Sequence, residues 1–241
     1  MTENLEGINS RASSSGRVLS HDSFLKIRDD LSLWFKAGTY VTFYSTGNVK
    51  KANLYYAQYL LISGVGERGS LQTKAWFRPG TEIHFDTNGH VISGTLRENS
   101  YLPIGWGNLG RKIWFKGGTK IDFGYGAVAS GILLNNTYIQ VTGYTRVWFR
   151  KNYRVNFDFY GNAYSGVLVN LNSSPIGNGV TLLFRSWTEI TYDGETGFVR
   201  SGSLHQRTYL KLAFNNSYRW FDAGTFVEFD DNGRVTDYFP Y

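Results

Sequence analysis

Apolar side chains recur at a spacing of two within short runs, and the runs themselves recur along the chain. The clearest run follows a Trp-Phe pair. Anchored on the phenylalanine, six copies stand at Phe35, Phe77, Phe115, Phe149, Phe184 and Phe221, at intervals of 42, 38, 34, 35 and 37 residues. Tryptophan precedes five of them (Trp34, Trp76, Trp114, Trp148, Trp220) and Leu183 the other. Three residues on stand Gly38, Gly80, Gly118, Asn152, Trp187 and Gly224. Then come Thr39, Thr81, Thr119, Tyr153, Thr188 and Thr225. A β-branched column (Val41, Ile83, Ile121, Val155, Ile190, Val227) and an aromatic column (Phe43, Phe85, Phe123, Phe157, Tyr192, Phe229) follow two and four residues later. Side chains two apart share one face of a strand, so both columns point inward together.

Each run ends in a turn, such as Asp86-Thr87-Asn88-Gly89 or Asp230-Asp231-Asn232-Gly233, where Asn and Gly can adopt positive φ. A second strand reads Gly-x-Val-x-Ser-Gly-x-Leu, as in Gly89 to Leu96. Its glycines Gly94, Gly131, Gly166 and Gly202 mark either a bulge or a close backbone approach. A third apolar piece (Tyr101-Leu102, Tyr138-Ile139, Tyr209-Leu210) leads into a loop of variable length that carries most of the variation in period. The expected fold is therefore all-β. It is an open β-meander or β-solenoid of six units of 34–42 residues, with a six-bladed propeller closed between the termini as the alternative. Residues 1–15 read as a flexible polar N-terminus and 16–241 as a single repeat domain.

The pattern Phe-x-x-Gly-Thr-x-Val-x-Phe-x-x-x-Gly-x-Val-x-Ser-Gly-x-Leu resembles bacterial tandem β-repeat proteins of unassigned function. It is loosely similar to MORN-type repeats, which share an aromatic-x-x-x-Gly hairpin. The closest stretch runs from Trp76-Phe77-Arg78-Pro79-Gly80-Thr81 to Ser93-Gly94-Thr95-Leu96, then Tyr101 to Trp106. Units four and five depart from it, with Asn152-Tyr153 and Trp187 in place of the Gly-Thr and the glycine. The resemblance implies an extended, meandering architecture and no catalytic residues.

Composition narrows the function. Aromatics make up 17% of 241 residues and glycine accounts for 28, against 4 prolines, which fits short strands and tight turns. Cysteine is absent, which excludes disulfides and thiolate metal sites. The net charge of +6 is spread along the chain in nothing longer than pairs, so nucleic acid is an unlikely partner. No secretory signal or apolar span is visible, and the expectation is a soluble protein, cytoplasmic or particle-associated.

The four histidines offer no converging ligand set, and His84 with His90 reads as two solvated side chains on a strand pair. Asp86, Asp193, Asp230 and Asp231 fall at turns, where local hydrogen bonding explains them. No nucleophile elbow or phosphate loop is present. No enzymatic activity, cofactor or metal is expected. Because adjacent strand residues point to opposite faces, an inward Phe sends its Trp outward. The expected fate of that row is burial between sheets, coils or subunits, with ligand stacking as the alternative. The candidate binding residues are Trp76, Trp114 and Trp148, together with Trp106 and Trp187, which the repeat does not require. The primary expectation is a non-catalytic scaffold presenting a repeated β surface to a protein partner or for self-assembly. The alternative is a carbohydrate-binding lectin.

Overall fold

The computed structural model describes residues 16–62, 73–105, 111–142 and 145–240. All its described secondary structure is strand, paired antiparallel. There is no helix among the described residues, and so none long and apolar enough to cross a membrane. Each of the first five units contributes four strands and the sixth contributes three. In the second unit these are Lys74–Phe77, Glu82–Phe85, Val91–Thr95 and Ser100–Pro103. The middle two join one continuous 13-stranded sheet. The outer strands pair across unit boundaries, Ser100–Pro103 with Lys112–Phe115, to form six separate short hairpins.

The sheet runs from Gly16–Val18 at one edge to Val235–Phe239 at the other, and its edges do not meet. It is an open meander. A propeller would isolate each blade as its own sheet, whereas here successive units pair directly, with Thr95 opposite Lys120 and Gly94 opposite Ile121. The N-terminal segment 1–15 lies outside the described residues.

The short hairpins lie over one face of the sheet. The six anchor phenylalanines point down from them and are buried, five with no exposure. Beneath them, the sheet alternates β-branched residues with glycine. A Cβ added at Gly94, Gly131, Gly166 or Gly202 would come within 2.6–2.8 Å of the Cδ1 of Phe77, Phe115, Phe149 or Phe184 respectively. The repeat glycines thus mark close approach: each lets a ring lie directly on the backbone. The layers are tied at their ends by bridges such as Phe77 to Leu96 and Phe115 to Leu133.

The bulge is real but sits two residues earlier. All six long hairpins skip one residue at the same place: Lys50, Ile92, Ala129, Tyr164, Arg200 and Thr236. A bulge reverses the side-chain alternation of its strand. That is why Val91 points into the core while Ser93, two residues on, faces the other side. The outward positions form an unbroken polar row across twelve strands: Thr42, Lys51, His84, Ser93, Asp122, Ser130, Asn156, Ser165, Thr191, Ser201, Glu228, Asp237.

Aspartates close the turns as expected. Asp86 Oδ1 accepts the N–H groups of Asn88 and His90, both at 2.9 Å, and Asp230 Oδ1 those of Asn232 and Arg234. The Thr196 N–H and the Arg200 guanidinium hold the Asp193 carboxyl well below the usual carboxylate range. Arg200 also pairs with Asp231 of the next turn, linking the two. Tyr192 is the one tyrosine in the inward aromatic column. Burial pushes its phenol up to about 12, and the Asn172 amide donates to its hydroxyl at 3.0 Å.

A candidate binding face on the short hairpins

The tryptophans leave the short hairpins on the side opposite the phenylalanines. They are not buried within the chain: Trp34, Trp114, Trp148 and Trp220 are 43–54% exposed and Trp76 is half-buried. Both faces of the hairpin layer cannot be inward, and no described residue covers the second one, so the row is not buried between layers of the described chain. Each tryptophan instead packs against the aromatic residue directly opposite it. The pairs are Phe24 with Trp34, Tyr59 with Trp76, Tyr101 with Trp114, Tyr138 with Trp148 and Tyr209 with Trp220. Their ring centroids lie 5.0–5.5 Å apart, with interplanar angles of 30–43°. In the fifth hairpin Ser173 faces Leu183, and the row is interrupted.

The partner of each tryptophan comes from the preceding unit, so the site is assembled only when units stack. Sequence reading placed the Tyr-Leu pieces in strands without pairing them to the next Trp-Phe run. The signal was present in the constant order of the two pieces around a loop. Cations flank the pairs. Arg97 lies 5.5 Å over the Trp76 ring and Arg207 5.0 Å over Trp220.

Trp187 and Trp106 do not join this row. Trp106 falls outside the described residues. Trp187 occupies the turn between hairpin and sheet, at the position of Gly38, Gly80, Gly118 and Gly224. It shares their left-handed backbone with φ 66°, as does Asn152 at 65°. Threonine one residue later completes this turn by donating back to the chain, as Thr81 does to the Arg78 carbonyl at 2.8 Å and Thr188 to that of Arg185 at 2.7 Å. The Trp187 ring is 66% exposed, and the Arg150 guanidinium stacks on it at 3.6 Å. A bulky side chain in the left-handed region costs about 1–2 kcal/mol, and an exposed cation–π contact returns about 0.5–1 kcal/mol. Trp187→Gly is therefore expected to raise stability by up to about 1 kcal/mol. A urea midpoint below that of the wild type would contradict this.

On the opposite face of the molecule, the polar row of the large sheet is largely bonded to itself. Ser93 and Ser130 donate to the two oxygens of Asp122, each at 2.7 Å, and Arg154 reaches the same carboxylate at 3.1 Å. Partial burial works against ionisation of Asp122. The hydrogen bonds from Ser130 and Ser93, with the charges of Lys120 and Arg154, outweigh it and hold the carboxyl below its ordinary range. The two serine hydroxyls are held in place by the ionised carboxylate they share. Glu82 is shared between Lys51 at 2.7 Å and His84 at 2.6 Å. His90 faces Asp86 in the turn instead, so the two histidines do not converge. No group of three metal-ligating side chains occurs among the described residues.

Compared with known proteins, the chain matches no family model, no curated sequence and no solved structure.

Proposed function

We propose that the protein is a non-catalytic scaffold that holds an extended carbohydrate chain along the outer face of its short hairpins. The observation that carries this reading is the row of half-exposed tryptophans, each backed by an aromatic partner. A flat ring fixed by a neighbour offers an apolar plate for the C–H face of a pyranose at little cost in side-chain ordering. Strand alternation fixes these positions outward, where the core between the layers does not require a large ring. The internally bonded carboxylates and serines of the other face support the non-catalytic part of the reading.

The test begins with a glycan array at high protein concentration, followed by titration of any glycan that binds. Trp76→Ala, Trp114→Ala and Trp148→Ala should each weaken binding several-fold, and the triple variant should abolish it. Far-UV circular dichroism should stay unchanged, because these side chains point away from the core. A wild-type protein that binds no glycan, yet self-assembles or captures a protein through the same tryptophans, would refute the carbohydrate reading in favour of a protein-facing scaffold.

A further inference from the structure

The aromatic row is not uniform in charge. In units two, three and four, and only there, the tryptophan has one basic residue two positions before it and another two positions after it. These are Lys74-x-Trp76-x-Arg78, Lys112-x-Trp114-x-Lys116 and Arg146-x-Trp148-x-Arg150. Positions two apart in a strand point the same way, about 6.6 Å apart. Lys74, Lys112 and Arg146 stand within the strands on the tryptophan's face. Arg78, Lys116 and Arg150 follow one residue past the strand ends, where Lys116 donates to the Asn152 side-chain oxygen at 2.7 Å and Arg150 stacks on Trp187 at 3.6 Å. Lys74, Lys112 and Arg146 are exposed, and so is Arg78. None of the six takes part in an ion pair with a described residue.

The six strands of these three hairpins contain no carboxylate. The flanking hairpins differ. In the first, Lys26 and Arg28 pair with Asp29 and Asp30 of their own turn. In the sixth, Asp222 replaces the second cation and pairs with Arg207 at 3.4 Å. In the fifth, Thr181 and Leu183 replace the first cation and the tryptophan. The repeat does not demand the cations, because the fold is built equally well without them.

We propose that units two to four bind an acidic linear glycan, one bearing a carboxylate on every second sugar. This rests on the carbohydrate reading above and adds the charge and the period of the ligand. Equivalent hairpins hang from strands two apart in the sheet, so the platforms recur at about 9.5 Å. An extended β-linked glycan advances by close to that distance every two rings. One ring of each pair then meets a tryptophan, and the cations stand in a parallel line beside the tryptophan row, from which their long side chains can reach the carboxylate of the ring between platforms. Successive phosphates of a nucleic-acid strand, even fully stretched, lie closer together than this period. A single strand would therefore fall out of step with the row.

The full chain should be titrated with three size-matched oligomers: a neutral β-1,4-linked N-acetylglucosamine oligomer, an alternating glucuronate–N-acetylglucosamine oligomer, and oligothymidylate. The alternating acidic oligomer is expected to bind about tenfold tighter than the neutral one, with a preference that fades as salt is raised. The triple variant Lys74→Gln, Lys112→Gln, Arg146→Gln should lose that preference while keeping its weaker affinity for the neutral oligomer. Equal or tighter binding of the neutral oligomer by the wild type would overturn the charge inference and leave the carbohydrate reading standing. Binding of oligothymidylate alone would overturn both.

Discussion

Truncation of Phe115 to alanine should destabilise the protein by about 3–5 kcal/mol. The ring has no exposed surface and rests directly on Gly131 of its own unit. It also meets Phe157 of the next unit edge-on, with centroids 6.2 Å apart and planes at 82°. The cavity left behind would span both layers and a unit boundary, and the flat glycine floor offers no side chain to fill it. In a stacked array the loss should be greatest at that boundary and fade within a unit or two. Urea denaturation gives the magnitude. Hydrogen exchange should locate the weakened amides in strands 112–115, 127–132 and 154–157. A cost below about 1 kcal/mol would show that the ring is not a principal link between the layers.

Gly131→Ala should also destabilise, by about 1–3 kcal/mol, although it adds an apolar atom to a strand. Alanine ordinarily improves on glycine within a strand by roughly 0.5–1 kcal/mol, through backbone entropy. Here the new Cβ would stand 2.7 Å from Cδ1 and 2.9 Å from Cε1 of the Phe115 ring, and 3.4 Å from Ile121. The ring cannot retreat, because it is fully enclosed, so the clash outweighs the entropy gain. The two substitutions are coupled. In the double variant the alanine methyl occupies space that the missing ring leaves, and the combined cost should fall short of the sum by about 1 kcal/mol or more. Strict additivity in thermal or urea unfolding would mean that the ring and the glycine are not in contact.

The repeat, the inward columns and the outward turn of the tryptophans were legible because each depends on the alternation within a single strand. Val155 and Phe157 two apart, alternating with Arg154 and Asn156, suffice to assign faces. The open sheet was also the preferred reading, from the short connection at Gly-Thr. What could not be read is everything that depends on which strand lies beside which. Ile92 looks like any other strand residue, yet as a bulge it sends Val91 and Ser93 to opposite sides. Tyr101 and Trp114 are separated by a loop whose length differs from unit to unit, so their pairing follows from the register of the hairpin and not from spacing. Lys74, Lys112 and Arg146 are scattered in sequence, and the composition accordingly read as a diffuse charge. The topology sets them side by side. Among the candidate residues, Trp76, Trp114 and Trp148 share one row and Trp187 stands apart in a turn, as its place in the glycine column of the repeat already implies.

The bulge that recurs at one position in all six long hairpins has an evolutionary consequence. Every unit presents the same pairing edge to its successor, so unequal recombination that duplicates or removes a whole unit leaves each remaining junction with a partner it already fits. The ladder of aromatic platforms can thus lengthen or shorten in whole steps without re-engineering of the core. On the carbohydrate reading proposed above, a change in copy number becomes a change in the length of polymer gripped, and avidity multiplies its effect on affinity.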